Sequence, residues 1–289
     1  MKFAISANPY KDPGYLTLLE TCRYLLAQGA QVLVDQRNRS PEGEALGLQY
    51  REDFSGADVI LSLGGDGTFL NAVHSTRCYD IPIVGVNLGS VGFLAEIRVE
   101  SLHEDLDRLL ARDYSIEERM MLHVAAWHAD GQRYFEAQAL NEALLSRGYS
   151  QRIVPARLYL DDSYIETVRC DGLIVGTPTG STGYAMAAGG PIVQPNSQLI
   201  QITPVCPYSL QNRSYILDSA TVVRLELGDY PFVATLSADG RQETAFRSGD
   251  CVEIRRAERS LRLIHFRAPN FFQILPEKLR TRTSGLHSQ

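Results

Sequence analysis

The chain has 289 residues, 44% of them hydrophobic and 21% charged, with a formal net charge of −6. That length and apolar share suit two domains with buried cores, and the negative charge offers no basic field for nucleic acid beyond local clusters such as Arg255-Arg256 and Arg280-Thr281-Arg282. No run approaches the ~20 apolar residues of a membrane span, and the N-terminus turns polar at Asn8-Pro9; a cytoplasmic protein with neither a membrane nor a nucleic-acid partner is expected.

Phe3 to Ala7 reads as a strand, and Gly14 to Gln28 carries Leu18, Cys22, Leu25 and Leu26 at helical spacing. Gln31 to Asp35 is the next strand, followed by a polar loop around Ser40-Pro41-Glu42-Gly43. Asp58 to Leu63 has the apolar continuity of a central parallel strand and ends in Gly64-Gly65-Asp66-Gly67-Thr68. Ile81 to Val86 repeats the pattern and ends in Asn87-Leu88-Gly89-Ser90. Two glycine loops at strand ends predict a crevice at the carboxyl edge of a Rossmann-like α/β sheet.

A helix at Leu102 to Leu110 closes this half, and from about Glu118 the period shortens to β-like segments. These are Leu122 to Ala126, Phe135 to Ala139, Ile153 to Leu160, Leu173 to Gly176, Leu199 to Ile202, Val222 to Leu227, Phe232 to Ser237, Cys251 to Arg255 and Leu261 to Phe266. The expected domains are 1–117 (α/β), 118–268 (all-β) and a tail, 269–289, that packs back on the first domain and frays from Arg280 to Gln289. Five scattered cysteines (Cys22, Cys78, Cys170, Cys206, Cys251) without a CxxC pair read as small buried hydrophobes, not as a disulfide framework or a zinc site. His123 and His128, like the other histidines, are expected not to bind metal.

Glycines flanking an aspartate directly after an apolar strand leave backbone N–H groups open to anionic oxygens, so Gly64, Gly65, Gly67 and Thr68 predict a phosphate cradle. Asp66 would then face phosphate, where it serves as a base toward an attacking hydroxyl or helps hold a divalent cation. A tight turn with Asp66 as helix cap competes with that reading. Asp171 to Tyr184 runs from a strand into a loop dense in hydroxyls and then a helix, which gathers polar groups for a ligand or merely makes a Ser/Thr turn. Asn141-Glu142 offers an amide and a carboxylate suited to a purine edge and ribose hydroxyls, or a plain strand-to-loop junction. Asp239-Gly240 most simply makes a hairpin turn.

In this order the pieces resemble the NAD kinase family: Gly64 to Thr68 its glycine-aspartate-glycine loop, Asn141-Glu142 its Asn-Glu pair, and Thr177 to Tyr184 its Thr-Pro-Thr-Gly-Ser-Thr segment. Asn8-Pro9 and Asn87-Leu88-Gly89 also match, and the likeness covers about residues 1–275. The resemblance implies an α/β domain, an all-β C-terminal sandwich domain, a site between them, and a homodimer or homotetramer. It implies phosphoryl transfer from ATP, or from polyphosphate, to the 2′-hydroxyl of the adenosine ribose of NAD, with Mg²⁺ or Mn²⁺ carried by the nucleotide and not by dedicated protein ligands.

Carried over by position, Asp66 is the base, while Asp66, Gly67, Asn141, Glu142, Asp171, Thr179, Thr182, Gly183, Tyr184, Ala185, Met186 and Ala187 contact the dinucleotide. Arg152 and Arg169 fall where the family has basic or polar site residues. Gly183 stands where many members have alanine, and Arg241 precedes Gln242 where many have Gln, which leaves open which of the two lines the site. A kinase with a similar loop acting on a lipid or sugar phosphate is the nearest rival, and a dinucleotide-binding regulator without turnover is another. The Asn141-Glu142 pair disfavours the first and Asp66 the second.

Overall fold

A computed structural model describes residues 1–76, 78–89, 92–266 and 271–284. It opens with strand β1 (Lys2–Ala7) and helix α1 (Leu16–Ala27), whose Leu18, Cys22 and Leu25 are buried at helical spacing. Then come β2 (Gln31–Asp35), α2 (Pro41–Ala45), β3 (Gln49–Arg51), β4 (Val59–Gly64), α3 (Asp66–Thr76), β5 (Ile83–Asn87), β6 (Ala95–Arg98), α4 (Leu102–Leu110) and β7 (Ser115–Arg119). The expected loop at residues 40–43 is instead the start of α2: Ser40 Oγ accepts the N–H of Gly43 at 3.1 Å, and Pro41 occupies the first turn, which makes a helix start out of a turn-like sequence. The strands β3-β2-β1-β4-β5 are parallel throughout. Every residue of β4 is buried, as a central parallel strand requires.

The second unit is antiparallel. Its elements are β8 (Leu122–Trp127), β9 (Arg133–Ala139), β10 (Glu142–Ser146), β11 (Val154–Leu160), β12 (Ser163–Cys170), β13 (Gly172–Gly176), α5 (Tyr184–Ala187), β14 (Leu199–Val205), β15 (Tyr215–Asp218), β16 (Val223–Leu227), β17 (Ala234–Ala238), β18 (Gln242–Phe246) and β19 (Cys251–Arg256). They form two six-stranded sheets, β15-β14-β13-β10-β17-β18 and β12-β11-β16-β19-β8-β9. Burial alternates along strands such as β11 and β16, while β13 is buried throughout. Leu145, Ile202 and Leu236 of one sheet and Val124, Leu158 and Val252 of the other belong to a single buried cluster, so the sheets make a sandwich.

The strand expected at Leu261 to Phe266 forms as β20 (Leu261–His265), but in the first sheet, parallel to β5 with Leu263 opposite Ile83. By its contacts the chain therefore divides into Met1–Glu118 with Leu261–Gln289, and Arg119–Ser260, whereas the sequence reading carries the second domain to residue 268. Alternation identifies a strand without saying which sheet it completes; here β20 fills the edge beyond β5 and buries Leu263 and Ile264. Residues 280–284, expected to fray, belong to a final helix α6 (Phe271–Ser284), whose Phe271 ring is 6.4 Å from that of Phe93. Ser90 and residues 285–289 lie outside the described residues. Of the cysteines, Cys22 and Cys170 are buried and their thiols are pushed up to about 12 by burial; Cys78 and Cys251 are half-buried, and Cys206, expected inside, is exposed on a strand-terminal turn.

Candidate functional site

In the first unit the ends of β1, β4 and β5 are stitched together. Asn8 N–H donates to the Leu63 carbonyl at 3.0 Å, Leu88 N–H donates to that of Gly64 at 2.8 Å, and Asn8 Nδ2 donates to Thr68 Oγ1 at 3.2 Å. Gly64 has no room for a side chain: a Cβ there would lie 2.2 Å from Thr68 Oγ1, because Thr68 folds back over the strand end. The loop passes directly into α3, with Asp66 in its first turn.

The Asp66 carboxylate is aimed by backbone donors. Phe93 N–H meets Oδ2 and Leu94 N–H meets Oδ1, both at 3.0 Å. A Cβ at Gly92 would come within 2.0 Å of Oδ1, so only glycine lets this segment approach. These two N–H groups fix the orientation of the carboxylate. Gly92-Phe93-Leu94 was not singled out from the sequence; its one signal is a glycine shortly after a strand end. Beside the loop, a cavity of about 270 Å³ opens among Asn8, Arg37, Asn38, Thr68 and Asn71.

In the second unit Asn141 precedes β10 and Glu142 opens it, whereas the sequence suggested that the pair closes a strand. Asp239 does more than turn the β17–β18 hairpin. Its carboxylate accepts the N–H groups of Leu140 at 2.7 Å, Asn141 at 2.8 Å and Glu142 at 2.9 Å, from a left-handed backbone position (φ 50°) followed by Gly240 at φ 63°. Thr177 fastens the same segment from the other side, its N–H to the Asn141 carbonyl at 2.8 Å and its hydroxyl to that of Leu140 at 2.5 Å. A Cβ at Gly180 would lie 2.2 Å from the Asn141 carbonyl, so the Thr177–Tyr184 segment and the Asn-Glu pair are locked together.

This packing leaves Glu142 partly desolvated, with its Oε2 buried and without a hydrogen-bond partner. Burial, and secondarily the charge of Asp239, pushes its pKa up to about 8. A carboxyl held near neutrality both donates and accepts, which matches a sugar hydroxyl. A Cβ at Gly183 would sit 3.5 Å from Glu142 Oε2 and 3.7 Å from Asn141 Nδ2, in ordinary contact with both side chains.

Several hydroxyls of the segment are engaged within the protein. Thr177 bonds Leu140 and Gly180, Ser181 bonds Val193, and Thr182 bonds the Thr179 carbonyl. Thr179 and Thr182 are buried, Ala185 is fully so, and Met186 is half-buried, while Tyr184 and Ala187 are exposed. Arg241 is exposed beside the Asp239 turn, and its neighbour Gln242 starts β18. Arg152, Arg169 and Asp171 are elsewhere. Gly176 pairs with Glu142 and Gly172 with Ser146, so Asp171, five residues before Gly176, lies about 17 Å along the strand direction from the Asn-Glu pair. Asp171 is bound by Arg147 at 3.3 Å, and Arg152 and Arg169 line a cavity of about 390 Å³ with Asp229, Tyr230 and Phe232.

Residues 3–114 match the profile of the ATP-NAD kinase N-terminal domain, and residues 140–266 that of the ATP-NAD kinase C-terminal domain. An NAD kinase of Trichlorobacter lovleyi is 39% identical over 249 residues, which cover 86% of this chain and 87% of the relative. One of Geotalea daltonii is 36% identical over 284 residues, covering 96% and 98%. Among solved structures, an NAD kinase from Archaeoglobus fulgidus in complex with ATP superposes with a TM-score of 0.76 at 25% identity, covering 97% of this chain and 99% of that one. A yeast NADH kinase complexed with NADH shares the fold, with a TM-score of 0.88 at 23% identity over all of this chain and 89% of that one.

Proposed function

The chain belongs to the NAD kinase family and carries its activity, the phosphorylation of NAD to NADP, and within that reaction we propose that Asp66 is the base at the adenosine ribose 2′-hydroxyl. The observation that carries this role is the carboxylate aimed by the Phe93 and Leu94 N–H groups at the mouth of the Gly64–Thr68 loop. A ribose hydroxyl is a weak nucleophile at neutral pH, and a positioned carboxylate that takes its proton late in a loose phosphoryl transfer contributes ~10²–10⁴-fold in rate.

The loop N–H groups hold the donor phosphates. ATP is the donor we favour, supported by the relative solved with ATP, with polyphosphate as the alternative in the same assay. Among the described residues no three His, Cys, Asp or Glu side chains converge on one point. The donors beside the loop are one carboxylate plus amide and hydroxyl oxygens, which suits a hard cation arriving on the nucleotide; Asp66 would be the carboxylate to help hold it. When bound, Mg²⁺ or Mn²⁺ supplies neutralisation of the phosphate charge. Asn141 and Glu142 orient the dinucleotide through its hydroxyls and base edge, helped by the exposed faces of Tyr184 and Ala187.

Among the described residues no helix is long and apolar enough to cross a membrane, and the cytoplasm is the compartment we propose. A homodimer or homotetramer would let Arg152, Arg169 and Asp171 of one copy serve the dinucleotide of another; sedimentation velocity measures that state, and a fully active monomer would remove the idea. Incubation with NAD, ATP and Mg²⁺ should yield NADP. Asp66→Asn should lower turnover by roughly 10²-fold or more with NAD affinity kept within a few-fold; full activity in that variant would end its role as base.

A further inference from the structure

We propose that Lys11 binds the donor's phosphate chain, its ammonium closing the cradle from the side opposite the loop backbone. The proposal rests on the reading of Gly64–Thr68 as the donor loop. The Lys11 Nζ lies 2.7 Å from the point a Cβ at Gly65 would occupy and 3.7 Å from the corresponding point at Gly89. One ammonium thus spans the two glycine loops that end β4 and β5, in the space that side chains would otherwise fill. Without side chains at these glycines a ligand can approach the loop backbone closely, and a cation placed beside peptide N–H groups at the start of a helix favours an anion.

The backbone under Lys11 is fixed. The N–H groups of Lys11 and Asp12 both donate to the Asn8 carbonyl, at 3.0 and 2.9 Å, so the turn after β1 is closed. The adjacent acid does not neutralise the lysine: Asp12 is buried, and its two carboxylate oxygens accept the N–H groups of Thr17 and Leu18 at the start of α1, each at 2.9 Å. Among the described residues Lys11 has no carboxylate within ion-pair distance, and its side chain is exposed to the crevice edge. A lysine in solvent at a random surface position would not be expected to lie across two glycine loops at the carboxyl ends of neighbouring parallel strands.

A lysine ammonium is a compact point charge with three donors on a flexible stem, so it recognises phosphate charge and not the base or sugar of the donor. Its loss should therefore weaken ATP and inorganic tripolyphosphate by the same factor. In the full chain, Lys11→Met should raise KM for ATP roughly 10- to 100-fold while KM for NAD moves less than about twofold, and Lys11→Arg should recover most of the loss. Tripolyphosphate, used as a competitive inhibitor against ATP and titrated calorimetrically into each protein, should weaken in parallel in Lys11→Met. An unchanged KM for ATP, or an equal rise in both KM values, would overturn the proposal. If the wild-type chain yielded no NADP, the phosphotransfer reading would fail separately, and the tripolyphosphate titration would still decide Lys11, equal affinity for wild type and Lys11→Met being the negative result.

Discussion

Glu142 is where burial and chemistry meet most directly. Its carboxyl is pushed up to about 8 from the usual carboxylate range, so between pH ~4.5 and ~8 the folded chain holds a proton there that the unfolded chain has released. Stability from this group is complete below that window, falls as pH rises through it, and is flat above. Glu142→Gln, which keeps the shape and removes the ionisation, should match the wild type at pH 5 and exceed it by on the order of 1–3 kcal/mol at pH 8, read by urea denaturation at the two pH values. A difference between variant and wild type that is the same at both pH values would mean that the carboxyl is not held protonated. If Glu142 orients the dinucleotide as proposed, the same substitution should weaken NAD binding, since its buried Oε2 has no hydrogen-bond partner within the chain. Asp66 contrasts with it: its carboxylate is kept in one orientation by two N–H groups, which suits the base role proposed for it.

At the scale of elements, Asp239 ties the β17–β18 hairpin to the start of β10. Three backbone N–H groups converge on one carboxylate, and that of Leu140 belongs to a fully buried residue. Asp239→Ala should cost on the order of 3 kcal/mol, measured by chemical denaturation, and raise KM for NAD more than KM for ATP, because it frees the Asn141-Glu142 segment and leaves the Gly64–Thr68 loop untouched. Most of the strands that the sequence does not announce lie at sheet margins: β3 and β7 end the first sheet, β6 pairs with β5 alone, and β12 and β15 each end a sheet of the sandwich. An edge strand is half exposed and pairs on one side only, so its sequence carries little apolar signal; Ser163–Cys170, with three exposed residues at its start, is an instance. β10 is central and was missed for another reason: Glu-Ala-Leu-Leu reads as helix former, and pairing with β13 and β17 overrides the propensity.

For the whole molecule, the return of β20 makes the first unit discontinuous. Its sheet cannot be completed until residues 261–265 have been made, and Leu261, Leu263 and Ile264 are each almost fully buried there. At roughly 1.5–3 kcal/mol per buried aliphatic side chain, a chain ending at Ser260 should lose the cooperative transition of the first unit while the continuous β-sandwich, Arg119–Ser260, keeps its own; differential scanning calorimetry separates the two. Survival of both transitions would show that β20 is dispensable.

The sequence by itself determined the chemistry-bearing segments and the kind of fold around them. Glycines around Asp66 after a continuous apolar strand, and the change from helical to alternating periodicity near Glu118, are local signals, and local signals survive in one dimension. Tertiary structure alone decided which groups aim the functional ones. The N–H groups of Phe93 and Leu94 on Asp66, the Asp239 carboxylate under Asn141 and Glu142, the ammonium of Lys11 across two glycine loops, and the sheet that receives β20 all join residues distant along the chain. Such contacts are set by strand order and register, which no spacing within a single segment encodes.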